Sequence, residues 1–228
     1  MARRRADCGV RYGVLFRRKP LDRAALVAAG DQARTRGRIS KAIGFYRRAL
    51  EQGSDDPALH GKLAPLLARK RQKQAALASF AAAAAGQSRA GFTDRAIALQ
   101  RQAVELYPDE PPLWNELVRL FLLRGRRADA VAALVGGGRT LLRRRDLAVA
   151  ERLLKRAIDL EPWQPSAVDL LARTLSRAGR KREALELLEA FGSLARGLPL
   201  RRARTLAFRI SPTPRNLWRW LQAAWRGR

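Results

Sequence analysis

Cysteine and histidine each occur once in the 228-residue chain. Cys8 stands alone in a polar N-terminal stretch, so no disulfide framework can form, and a reducing, cytoplasmic setting is expected. His60 has no legible partner base or nucleophile, and one His with one distant Cys cannot assemble a metal site, so no metal is expected. The expectation is therefore a non-enzyme without cofactor or small-molecule substrate. Aromatic residues are few, at 7%, which argues against a base-stacking platform for sequence-specific nucleic-acid reading. Long apolar runs are missing too. Gly13–Phe16 is far too short for a secretory segment, and Ala75–Gly86 is too short and too weakly apolar to span a bilayer.

Acidic residues are also scarce, at 20 against 47 basic ones, giving a formal charge of +27. Seven of the 47 are lysines, which leaves 40 arginines. Residues 1–20 hold seven basic side chains against Asp7, and residues 196–228 hold nine arginines and no acid, so the two ends carry +15 of the +27. Such an excess draws anionic partners: nucleic acid, acidic protein surfaces or anionic lipid. What the chain has in abundance is Ala, Leu and Arg, all strong helix formers, within a hydrophobic fraction of 47%. An all-α domain with a sizeable core is expected.

Internal similarity decides the architecture. Arg95–Pro108 matches Val149–Pro162, and both match Lys41–Ser54. The alanine pairs Ala42/Ala49, Ala96/Ala103 and Ala150/Ala157 advance by 54 residues, as do Pro57, Pro111 and Pro165, and Ala76, Ala130 and Ala184. Within each unit the steps are 34 and then 20, so a unit holds three helices, here a, b and c. Alanines seven apart share one helix face and admit a neighbouring helix closely. Tyr46, Phe80, Leu134, Leu154 and Leu188 should fill the space beside them. Pro108 and Pro162 should end helix a, and Gly125 and Gly179 should close helix b in a left-handed cap. Residues 22–36 read as a leading helix c; 200–212 and the helix through Trp218, Leu221 and Trp225 read as a final a and b. About twelve antiparallel helices result, in one array over 21–226, preceded by a flexible basic segment 1–20 and closed by capping helices at 199–226.

Trp114, Leu117 and Phe121 on one helix, then Gly125, Ala130 and the run Ala96…Ala103…Pro108, resemble the tetratricopeptide-repeat (TPR) family, over about residues 22–226. The departures are the c helix shared between two repeat pairs and Phe191 where the pattern has a small residue. The resemblance implies a right-handed helical-repeat solenoid that binds a protein or peptide, with helix b lining a concave groove. Groove candidates off the core stripe are Lys62 and Arg69, Asn115 and Arg119, then Asp169, Arg173 and Arg177. Arg119 and Arg173 are 54 residues apart and would form a guanidinium ladder for carboxylates or phosphates, the alternative being a solvated basic face. The expected function is a scaffold that docks an acidic or carboxylate-bearing segment. The alternative is non-specific binding of nucleic acid or anionic membrane by the arginine-rich ends.

Two further segments stand out in the sequence. Ala133–Thr140 contains Gly136, Gly137 and Gly138, but it lacks the lysine and the preceding strand of a phosphate-binding loop, so a tight crossing or kink is expected instead. The tail from Arg215 is basic and Trp-rich, which suits a membrane surface. Because Trp218, Leu221 and Trp225 fall where Val168, Leu171 and Leu175 stand in helix b, core packing is expected for them, leaving Trp220 free for a partner.

Overall fold

The computed structural model describes residues 22–53 and 56–225, the last two of these by backbone alone. The basic segment 1–20, with Cys8, lies outside the described residues. Twelve α-helices and no strands are present among the described residues, and the chain forms two compact units, Met1–Ser54 and Asp55–Arg228. The protein is an all-α helical-repeat solenoid.

The first unit holds α1 (Arg23–Thr35) and α2 (Ile39–Glu51). Asp22 caps α1 by accepting from the Ala25 amide at 2.7 Å, and Gly37, at φ +69°, turns the chain. Tyr46 is fully buried between the helices and donates its hydroxyl to Asp31 Oδ1 at 2.8 Å. Burial, followed by this hydrogen bond, pushes the phenol up to about 12. The ring lies directly over Gly30, where a Cβ would sit 2.4 Å from Tyr46 Cε1, so only glycine admits it.

The second unit runs through α3 (Pro57–Arg69), α4 (Lys73–Arg89), α5 (Thr93–Leu106), α6 (Pro111–Leu123), α7 (Arg127–Arg144), α8 (Leu147–Leu160), α9 (Pro165–Arg177), α10 (Lys181–Leu194), α11 (Gly197–Ile210) and α12 (Pro214–Trp225). The repeat markers act as their spacing predicts. Pro57, Pro111 and Pro165 open α3, α6 and α9, where the missing amide costs nothing. Gly125 and Gly179 follow α6 and α9 at φ +72° and +82°. Helices α5 and α8 stop at Leu106 and Leu160, two residues before Pro108 and Pro162. Ala76, Ala96, Ala103, Ala130, Ala150, Ala157 and Ala184 are all fully buried, and Phe80, Leu134, Leu154 and Leu188 fill the core beside them. Each such leucine stabilises the fold by roughly 1.5–3 kcal/mol.

The three glycines do not break α7, which is continuous from Arg127 to Arg144. They make a close crossing. A Cβ on Gly137 would stand 2.9 Å from both Leu153 Cδ1 on α8 and Trp114 Cδ2 on α6. Helices α6 and α8 therefore lie against the same side of α7. Helix α7 packs on α9 in turn, and α9 on α11, while Gly61 of α3 meets Leu99 of α5. Within this second unit antiparallel helices thus alternate between two layers, odd-numbered in one and even-numbered in the other. The three-helix copy α8–α10 therefore has its layers exchanged relative to α5–α7.

The final helix corrects a sequence expectation. Trp218 and Leu221 are not core: they are 63% and 38% exposed, while Trp225 lies outside the described side chains. The stripe that α9 buries against the helix after it has no following helix here among the described residues. Trp220, expected to be free, is the packed one. It stacks on Phe208 at 6.1 Å between ring centroids and donates Nε1–H to Thr205 Oγ1 at 3.1 Å.

Candidate functional site

Three odd-numbered helices, α7, α9 and α11, enclose a groove of about 1030 Å³. They run parallel, as every second helix of an antiparallel array must, and Arg177 Nη1 donating to the Leu142 carbonyl at 3.1 Å ties the C-terminal ends of α9 and α7 together. The groove follows from helical spacing: Arg139 and Arg143 on α7, and Arg173 and Arg177 on α9, are each four apart and so share a face. Arg209, in the last turn of α11, completes the basic end. Basic side chains in a last turn also suit the negative end of the helix macrodipole. Arg201 and Arg202 lie nearer the start of α11, and Leu198, Pro199 and Pro165 form the mouth there. Leu142, Val168, Phe191 and Leu206 supply an apolar floor.

The charge balance of this lining is lopsided. Seven arginines face one acid, Asp169, which accepts from Arg173 Nε at 2.9 Å. Arg177 is held by the Leu142 carbonyl. Arg139, Arg143, Arg201, Arg202 and Arg209 form no ion pair among the described residues. Five guanidinium groups therefore line a partly apolar groove with their forks unoccupied, an arrangement suited to carboxylate or phosphate oxygens.

The candidates named from sequence are dispersed. Asp169, Arg173 and Arg177 line the groove. Asn115 and Arg119, on α6 in the opposite layer, do not. Arg119 forks onto Glu116 at 2.6 and 2.8 Å, which holds its guanidinium above its ordinary pKa range. Lys62 and Arg69 are on α3, as is His60, and none of the three reaches the lining. Repeat-equivalent residues 54 apart fall in opposite layers because the unit has an odd number of helices, so Arg119 and Arg173 do not share a wall. The groove ladder has a step of 34 instead: Arg139 to Arg173 and Arg143 to Arg177. The sequence carries that step as the spacing of one helix–turn–helix pair.

The layered helix pairs define a repeat scaffold. Residues 11–57 match the family model described as tetratricopeptide repeat. No curated protein matches it. Among solved structures, it is similar to the Rap conjugation gene regulator of the plasmid pLS20 in complex with the Phr* peptide. That pair has 16% identity and a TM-score of 0.42, over 88% of this chain and 62% of that one. A tetratricopeptide repeat protein from Parabacteroides merdae ATCC 43184 is 14% identical, with a TM-score of 0.35 over 90% and 91% of the two chains. YrrB, described as a TPR protein with an unusual peptide-binding site, is 13% identical, with a TM-score of 0.30 over 88% and 92%.

Proposed function

We propose that the chain is a protein-interaction scaffold and that the groove between α7, α9 and α11 receives an acidic or carboxylate-bearing segment of its partner. Stacked helical repeats present extended surfaces suited to such ligands. The observation that carries the reading is the set of five arginines without acidic partners around the groove. Carboxylates would sit at the end bounded by Arg143, Arg177 and Arg209, with Arg139 and Arg173 one turn further in. The apolar floor favours a peptide over a sugar–phosphate chain, because it offers side chains a dry surface and bases nothing to stack on.

The test is fluorescence anisotropy with a labelled peptide carrying several glutamates. Arg143→Glu together with Arg177→Glu should weaken capture at least about tenfold, since each fork lost to a carboxylate is replaced by a repulsion. Arg119→Glu, outside the groove, should leave it unchanged. Equal capture by all three proteins, or tighter binding of single-stranded RNA at the same groove, defeats the assignment.

A further inference from the structure

We propose that α12 is a membrane-surface anchor, whose outward face binds anionic lipid through Leu217, Trp218 and Leu221. The site is separate from the groove and does not depend on it.

The helix has two faces with different fates. On one, Trp220 stacks on Phe208, Ala223 is buried, and Asn216 Nδ2 donates to the Ser211 carbonyl at 2.9 Å. Arg215 and Arg219 both reach Glu189 of α10. These contacts hold the helix in place. On the other face, Leu217, Trp218 and Leu221 are 40%, 63% and 38% exposed. At 100° per residue the three fall within about 100° of arc, so they form one ridge. An indole and two leucines in water are costly to display, and a contiguous apolar ridge of this kind marks a contact surface.

Charge selects the occupant. Nine arginines and no acid stand in residues 196–228, the stretch that carries the ridge. A second copy would bring +27 against +27, so self-association through this face is opposed. A helix ridge is convex and offers no pocket for a partner's side chain, whereas a lipid interface deforms around it. Tryptophan suits that boundary, with its ring among acyl chains and its N–H at the headgroups, and arginines gain from anionic phosphates. No described helix is long and apolar enough to cross a membrane, so the contact is peripheral.

The experiment is co-sedimentation of the full chain with vesicles of phosphatidylcholine alone or with about three parts in ten phosphatidylserine, at physiological salt. Binding to the anionic vesicles only, reduced about tenfold by Trp218→Ser with Leu221→Ser, is the expected result. Both substitutions are at exposed positions, and circular dichroism checks that the fold survives. Trp218→Phe should bind but lose most of the lipid-induced blue shift in emission. The proposal falls if the double variant binds as tightly as the parent, which would make adhesion purely electrostatic. It also falls if neutral vesicles bind equally, if no vesicle binds, or if the parent chain dimerises through this face in light scattering and the double variant does not.

Discussion

Three consecutive glycines in one helix offer an internally controlled test of the crossing at α7. Replacing glycine by alanine inside a helix is worth about 1 kcal/mol in backbone propensity, wherever space allows. At Gly136 the new Cβ would lie 3.4 Å from Trp114 Cζ3, an ordinary contact, so Gly136→Ala should stabilise by about 0.5–1 kcal/mol. At Gly138 it would lie 2.6 Å from Leu154 Cγ and 2.7 Å from Cδ2. Leu154 is fully buried and has nowhere to move, so overpacking costs roughly 1–3 kcal/mol. Set against the propensity gain, Gly138→Ala should come out destabilised by about 1 kcal/mol. Gly137→Ala, at 2.9 Å from two different side chains, should fall between. Urea melts followed by far-ultraviolet circular dichroism would separate the end members by about 2 kcal/mol. If Gly138→Ala proves as stable as Gly136→Ala, the close approach of α8 to α7 is refuted.

Other expectations concern single contacts. Trp220→Ala removes the stack on Phe208 and the bond to Thr205, so amide exchange should accelerate across α12 while α5 to α9 keep their protection. Glu151, only 16% exposed, accepts from Lys155 at 2.7 Å and Arg180 at 2.8 Å, and these partners, Lys155 first, hold its carboxyl below the usual range. Its contribution is present above the ordinary carboxylate value of about 4.3 and is lost as pH falls through the depressed folded value. Glu151→Gln should therefore flatten the acid limb of Tm against pH. Tyr46 works the other way: its raised phenol adds stability below about 10 that disappears as pH climbs towards 12, so one tyrosine in an absorbance titration should ionise late, and Tyr46→Phe should remove that step.

Most of the helix plan was legible because a repeat writes the same packing rule several times. Proline at a helix start, glycine at φ above +60° after α6 and α9, and alanine at each crossing are all local requirements. The groove was only half legible, for a non-local reason. Asp169, Arg173 and Arg177 could be placed on one face from spacing alone, but pairing them with Asn115 and Arg119 assumed that equal sequence position means equal side. The layer in which a helix lies depends on how many helices precede it. The misreading at α12 is of the same kind. Trp218 and Leu221 carry a core pattern, and among the described residues no further helix covers it.

The three-helix unit also has a consequence for how such a chain grows. Copying one unit moves each surface to the opposite layer, so the copy does not inherit the parent's face; copying two units restores it. A substitution that alters the groove lining in one unit would, at the matching place in the next, fall in the opposite layer. Selection for binding can then act on alternate copies only, while selection for packing acts on all of them. The alanines and leucines recur at 54 residues, and the arginines of the groove follow another interval.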